Sequence, residues 1–210
     1  MARYTGPKCK LCRREGEKLF LKGMRCHTVK CAIAKRAYPP GEQRFRRRKV
    51  SDFGRQLREK QKAKRTYGLL ERQFMRYFDI AERQKGNTGE NLIRLLERRL
   101  DNVLYVAGFA PSRALARQFV RHGHVEVNGA KCDIPSRLVR QNDIIKVRKG
   151  DKRKEHVEGW RQEVTSTGRG VASWIAVNPE EQSIQVLSLP KPEEFSALIQ
   201  ANLIVELCSK

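Results

Sequence analysis

The sequence has no apolar run approaching the roughly 18 residues that a membrane-spanning helix needs. It has only 23 acidic residues to set against 45 basic ones, for a net charge of +22. That imbalance excludes a cationic partner and asks for a polyanion. Aromatics are few, at 7% of the chain, and mostly stand at apolar helical positions, as with Phe74 and Phe119. A platform for stacking single-stranded bases wants exposed, clustered rings, so folded nucleic acid read through backbone and shape is expected instead. Residues 1–14 are basic and polar, without an apolar run before a small-residue cleavage site, so no secretory leader is expected. No Gly-x-Ser-x-Gly elbow occurs, and Gly168-Arg169-Gly170 lacks the glycine spacing and Gly-Lys-Ser/Thr ending of a phosphate loop. With no catalytic set, a small-molecule substrate is not expected.

What is present is unevenly placed. Residues 1–65 carry 22 basic and 5 acidic residues, a net charge of +17. Residues 171–210 carry only Lys191 and Lys210 against five glutamates. The polyanion should be met mainly by the N-terminal third, with the C-terminal end packing or facing protein. The densest run is Arg44, Arg46, Arg47, Arg48 and Lys49. Only Phe45 and Val50 lie near it, too little apolar surface for a membrane-lying helix. Nucleic acid is the better partner.

Four of the six cysteines fall in this basic third: Cys9, Cys12, Cys26 and Cys31, spaced Cys-x2-Cys, thirteen residues, then Cys-x4-Cys. Two close pairs on a short arm suit one tetrahedral ion. A segment this short cannot bury enough apolar surface to fold alone, so a metal would supply much of its folding energy. Zinc is the first expectation and a 4Fe-4S cluster the alternative. Disulfides are disfavoured without a leader, since a cytosolic compartment keeps thiols reduced. His27 stands next to Cys26 as a possible replacement ligand, but reads better as a solvated or RNA-facing side chain.

Residues 1–45 read as a metal knuckle and a loop ending in Pro39-Pro40-Gly41, with little regular structure. A basic helix starts at Ser51 or Asp52 and runs to about Lys64, bringing Arg55 and Arg58 onto its surface. Thr66 is expected to cap a second helix with a stripe of Leu70, Phe74, Tyr77 and Ala81. Thr88 is expected to start a third, whose Leu92, Leu96, Leu100, Val103 and Ala107 run unbroken to Gly108. Ser112 caps a short helix ending at Gly123, in which Arg113, Arg117 and Arg121 form one basic stripe. Val125 and Val127 alternate into a strand, Asn128-Gly129 makes a tight turn, and Asp143 to Val147 reads as another strand. The arginine stripe, His122, His124, Asn128 and Lys131 are expected on one surface. Asp101 and Asp143 read as helix-surface and turn residues, and Arg98, Arg99 and Asp101 as ordinary surface pairs. Glu155 to Val164 reads as a helix, Trp174 to Leu187 as a hairpin, and Leu203 to Leu207 as a final strand. His122-x-His124 lacks a third metal ligand, and contact with RNA or packing suits it better.

The stretches Glu97-Arg-Arg-Leu-Asp-Asn-Val-Leu-Tyr105, Gly108-Phe-Ala-Pro-Ser-Arg113 and Ala116-Arg-Gln-Phe-Val-Arg-His-Gly-His-Val-Glu-Val-Asn-Gly129 closely resemble the bacterial small-subunit ribosomal protein four family. The opening Met1-Ala-Arg-Tyr-Thr-Gly-Pro7 is similar to that family's start, here in its cysteine-bearing form. The resemblance spans nearly the whole chain. It implies an α+β fold with a mostly helical domain and an inserted small α/β RNA-binding domain of short helices and a twisted antiparallel sheet; the metal-binding N-terminal extension is expected from this chain's own cysteine spacing, since many family members lack those cysteines. The implied divisions are 1–45, then 46–94 with about 196–210, and an insert over 95–195. It implies a non-enzymatic, cytoplasmic constituent of the 30S-type subunit. Such a protein binds 16S-type ribosomal RNA at a helix junction, nucleates assembly of the subunit body, and contributes to translational accuracy with small-subunit proteins five and twelve. Messenger RNA lies nearby where it enters. Within the quoted motifs, Arg3, Ser112 and Gln118 join the RNA-contacting residues. The end keeps Leu203-Ile-Val-Glu206 but has Leu207-Cys208 where the family usually shows aromatics.

Two rivals stand beside this reading. A pseudouridine synthase carries the same RNA-binding domain, but needs a catalytic domain for which too few residues remain. An mRNA-binding repressor or antitermination factor is compatible with ribosomal duty and is not separable from it by sequence.

Overall fold

A computed structural model describes residues 3–41, 51–148, 150–192 and 199–209, with the side chains of 151–153 left aside. The chain divides into two compact units, Met1–Ile93 with Ser196–Lys210, and Arg94–Phe195. It is α+β.

In the first unit, helices α1 (Lys8–Glu15) and α2 (Ala32–Lys35) flank a 3-10 turn at Gly23–Cys26. The N-terminal segment is therefore more helical than its glycines and prolines suggest. α3 (Asp52–Thr66) begins where Ser51 Oγ accepts from the Gly54 N–H at 3.1 Å. α4 (Glu71–Glu82) buries Phe74, Tyr77, Phe78 and Ala81, while Leu70 stays outside at its start. Thr66 does not cap it: the Thr66 hydroxyl donates to the Lys62 carbonyl at 2.9 Å, closing α3. α5 (Thr88–Glu97) starts at Thr88 as expected, with Asn87 before it as the cap, its Oδ1 accepting from the N–H groups of Gly89 and Glu90. A side chain at Gly89 would stand 2.9 Å from Ala201 Cβ, so glycine permits that close approach. The expected final strand is a helix, α9 (Ala201–Cys208). Its apolar run buries Ile204 and packs along α3, where Gln56 Nε2 donates to Glu206 at 2.8 Å. Helix needs no ladder partner, which is what a terminal strand here would lack.

The second unit starts with a correction to the unbroken leucine stripe. Leu96 and Leu100 are both fully buried, yet the helix breaks between them. Arg99 is extended (φ −67°, ψ 136°) and bridges Leu138, and α6 (Leu100–Val106) starts afresh. Leu100 and Asp101 donate their N–H groups to the carbonyls of Arg137 and Pro135. α7 (Arg113–Arg121) follows, with Ser112 Oγ accepting from the Leu115 N–H, and Gly123 (φ +72°) turns the chain into the sheet.

The sheet holds β1 (Val125–Val127), β2 (Ala130–Cys132), β3 (Ile144–Val147), β4 (Ile175–Asn178) and β5 (Ser183–Val186) in the order β2-β1-β3-β5-β4, all antiparallel. Asn128 and Gly129 both have positive φ, the two-residue hairpin turn that matches strand twist. Register puts Val127 opposite Ile145 and Ile145 opposite Ile184, so alternation feeds one buried face. Leu100, Val103 and Leu104 of α6, Phe119 and Val120 of α7, and Val157 of α8 (Asp151–Ser166) share that core.

Candidate nucleic-acid interface

Cys9 and Cys12 lie three apart on α1, which puts both thiols on one helix face. Gly16, left-handed at φ +78°, ends that helix by donating to the Cys12 carbonyl at 2.9 Å. Cys26 closes the 3-10 turn, and its Sγ accepts from the Lys22 N–H at 3.4 Å. Cys31 sits at the start of α2. All four are free thiols lining one pocket, with Lys8, Lys22 and Arg25 also in its wall. Burial pushes the Cys12 and Cys26 thiols up; backbone N–H groups of Leu19 and Lys22, respectively, pull the other way. Among the described residues, however, no group of three or more His, Cys, Asp or Glu side chains is arranged to hold a metal ion. The thiols converge without closing around a centre. His27 is exposed and lies 5.0 Å from the Phe20 ring.

The knuckle is joined to α3 by charge. The Glu15 side chain, 2% exposed, pairs with Arg58 at 3.4 Å and with Arg65. Glu17 pairs with Lys62, which also takes Glu59 at 2.7 Å. Burial pushes the Glu15 carboxyl up in spite of the guanidiniums beside it. The Arg58 guanidinium is likewise pushed down by burial. Arg58 is thus turned toward its own chain, whereas Arg55 stays at the surface beside Asp52. Arg3 is exposed, and its charge adds to burial in pushing the Lys8 ammonium down. Arg44, Arg46, Arg47, Arg48 and Lys49 lie outside the described residues.

In the second unit, the expected single surface splits in two. Around the C-terminal end of α7, Gln118, Arg121 and His122 are exposed. His122 and His124 have ring centroids 5.7 Å apart. Lys131 lies across Gly123: a Cβ there would meet Lys131 Cε at 2.6 Å. Arg148, which sequence reasoning missed, joins this end by donating to Glu126 at 3.2 Å and to the Gly123 carbonyl. At the N-terminal end stand Ser112, whose hydroxyl is the helix cap, and Arg113, whose Nε donates to Asn102 Oδ1 at 2.7 Å.

Arg117 does not continue an exposed stripe. It is 8% exposed and reaches Asp101 at 3.6 Å. Asp101 is not a surface residue either: Arg99, fully buried, grips it through Nε–Oδ1 at 3.0 Å and Nη2–Oδ2 at 2.7 Å. Asn128 uses its amide to pin the hairpin, accepting from the Ile144 N–H and donating to Asp143, both at 2.8 Å. Asp143 is itself buried and accepts from the Arg140 N–H. Arg98, also missed as a candidate, donates to the Val139 carbonyl at 2.9 Å; burial pushes its guanidinium down, and Arg140 and Arg94 push the same way. The reach of Arg98 to Val139 and the return of Arg148 to Gly123 depend on contacts 41 and 25 residues away, which no local pattern signals.

Comparison with known proteins meets this geometry at the same residues. Residues 3–97 match the ribosomal protein S4/S9 N-terminal domain, and residues 98–145 match the S4 domain. The small ribosomal subunit protein uS4A of Symbiobacterium thermophilum is 53% identical over the full length of both chains. The uS4 proteins of Thermodesulfovibrio yellowstonii and Citrifermentans bemidjiense are 54% and 52% identical, again over the full length of both. The chain belongs to the uS4 family of small ribosomal subunit proteins. This is a family of ribosomal structural proteins, not of enzymes. The S4-domain match ends at residue 145, inside β3, so Arg148, β4 and β5 lie beyond it.

Proposed function

We propose that this chain is a structural, RNA-binding constituent of the cytoplasmic small ribosomal subunit. The observation that carries the reading is the full-length uS4 match. Within the S4 domain, Gln118, Arg121, His122 and Lys131 crowd one end of α7 as exposed polar and cationic groups. They contact 16S-type ribosomal RNA there, with Ser112 and Arg113 at the other end. Arg3, Arg55 and the Arg44–Lys49 run neutralise phosphates at a junction of RNA helices, while Arg58, paired with Glu15, serves the fold. The protein binds early, nucleates the subunit body, and acts on translational accuracy with small-subunit proteins five and twelve, near mRNA where it enters. Titration of small-subunit ribosomal RNA with the purified chain tests this. With about 6–10 phosphates neutralised, affinity falls on the order of 10³–10⁵-fold between 50 and 200 mM salt, on the duplex-DNA scale. An affinity flat across that range would overturn the electrostatic mechanism.

The four thiols hold one zinc ion in this reading, with a 4Fe-4S cluster as the alternative. What supports it is the donor set, four sulfurs on one pocket. A tetrathiolate zinc centre carries two negative charges, and Lys8, Lys22 and Arg25 stand where they offset them. A bound cation would favour the thiolates that burial disfavours. Zinc would act as a structural tie, not in a reaction. Elemental analysis and a visible spectrum of protein purified without oxygen decide it: one zinc and no colour is expected. Iron, sulfide and a brown colour would replace zinc, and no metal with reactive thiols would remove both.

A further inference from the structure

Gly168-Arg169-Gly170 has no place in a phosphate loop, but the fold gives Arg169 another role. α8 ends at Ser166, and Gly168, at φ +71°, turns the chain sharply after it. Val164 near the end of α8 stands 3.6 Å from where a Cβ on Gly108 would be. Arg169 thereby reaches the corner between α6 and α7. Its Nη2 donates to the Tyr105 carbonyl at 2.7 Å and to the Ala110 carbonyl at 3.3 Å. Its guanidinium lies 4.0 Å from the centroid of the Tyr105 ring, and that of Arg113 lies 4.3 Å from the same centroid. Tyr105 is 7% exposed, so the ring that both cations share is fixed by the core.

The arrangement brings two guanidiniums onto one ring. Among the described residues, Arg169 meets two carbonyls and the Tyr105 side chain, all neutral, and its buried Nε has no hydrogen-bond partner. Burial pushes its guanidinium down, the Tyr105 side chain pulls the other way, and the nearby Arg113 charge adds a little to burial. Two cations on one ring are favoured when an anion completes the site. The corner also presents the capped N-terminus of α7, whose dipole has the sign that attracts phosphate.

We propose that this corner is a phosphate-binding site for RNA, in which Arg113 makes the contact and Arg169, outside the S4-domain match, positions it. The inference rests on the RNA-binding reading and adds Arg169 and Tyr105 to it. Arg169 holds the Tyr105 and Ala110 carbonyls, and with them the loop that leads to Ser112. Tyr105 is the plate on which Arg113 lies, and Asn102 sets the direction of its Nε.

The test measures affinity for small-subunit ribosomal RNA between 50 and 200 mM salt with the full chain and with R113A, R169A, R169K, Y105L and the double variant R113A/R169A. R113A and R169A are each expected to weaken binding about tenfold and to reduce the salt slope by about one. The double variant is expected to be no worse than either single one. R169K keeps the charge but cannot lie as a plane on the ring, so it should resemble R169A. Y105L removes the plate and leaves both arginines, and should show the same loss. Additive losses in the double variant, or full rescue by R169K, would make Arg169 a direct contact and overturn the positioning role. An unchanged slope in R169A would make it merely structural. Nitrogen-15 NMR of the Arg113 Nε–H in the free protein gives a readout without RNA: its exchange with water should quicken in R169A and Y105L. Unchanged exchange sinks the proposal even if RNA binds, whereas a wild-type chain that binds no RNA sinks the RNA-binding reading itself.

Discussion

The cysteine-bearing segment and the sheet-bearing unit solve the same problem with different materials. Over residues 3–41 the buried apolar side chains are Leu19, Cys26, Cys31 and Ile33, too few for a core of its own. That segment is fastened by ion pairs from Glu15 and Glu17 to α3. The sheet-bearing unit has one continuous core drawn from three helices and five strands. Among the described residues of the first 65, each acid — Glu15, Glu17, Asp52 and Glu59 — is paired with a lysine or arginine of the same unit. The lesson is that scarce carboxylates are used as internal ties. The surplus of cations then faces outward in a set shape instead of repelling the segment open.

The largest effect should come from the weaker-cored segment. Structural zinc in small peptides contributes on the order of 10–16 kcal/mol of binding free energy. With zinc held as proposed, Cys9→Ser with Cys12→Ser should unfold residues 8–35 locally, with little change in the sheet-bearing unit. Limited proteolysis should cut there first, and RNA affinity should fall. Unchanged protease resistance and affinity would show that the ion pairs to α3 suffice alone.

Next comes the buried triad of the other unit. Asp101→Asn removes the carboxylate between Arg99 and Arg117, and stranding buried guanidiniums costs about 3–5 kcal/mol. Urea unfolding would show it. Glu15→Gln, the matching change in the first unit, should show no such loss at neutral pH, since burial already disfavours the Glu15 carboxylate and Arg58 and Arg65 keep contact with water. Equal losses would erase the contrast between the units. Gly123→Ala should follow at about 1–2 kcal/mol, from its left-handed backbone. It also displaces Lys131, so RNA affinity should drop with stability.

Local chemistry was well written in the sequence. Ser51 and Ser112 cap helices, Asn128-Gly129 makes its turn, and valine alternation sets the face of β1, because each depends on neighbours within a few residues. What was not legible is long-range. The leucine stripe runs through Arg99 with helical spacing, and only the contact with Leu138, 39 residues on, shows why the helix breaks there. Burial of Arg117 and Asp101 was hidden by their charge, since ionised residues read as surface until a partner across the fold is known. The α9 segment alternates well enough for a strand, and only packing against α3 decides for helix. The cysteine spacing pointed to one metal ion; the four thiols line one pocket, but among the described residues no three of them are arranged to hold a metal.

The smallest effect should come from an exposed tie in the first unit. Glu71 bridges Lys60 at 2.7 Å and Lys64 at 2.8 Å, joining the start of α4 to α3. Burial pushes its carboxyl up, but the hydrogen bonds and charges of the two lysines outweigh this, and the net direction is down. A carboxylate held below its ordinary value lends stability above that value and loses it as pH falls through the lowered one. The side chain is about half exposed, so the contribution should be no more than about 0.2–1 kcal/mol. Glu71→Gln should lower stability slightly at pH 7, and the difference from wild type should vanish once acid has protonated Glu71. Glu15 carries the opposite sign, since its carboxyl is held above its ordinary value by burial. Glu15→Gln, which mimics the protonated form, should therefore gain on wild type as pH rises through that raised value. If the two variants shifted the acid unfolding curve in the same direction, the distinction between buried and exposed ties would fail.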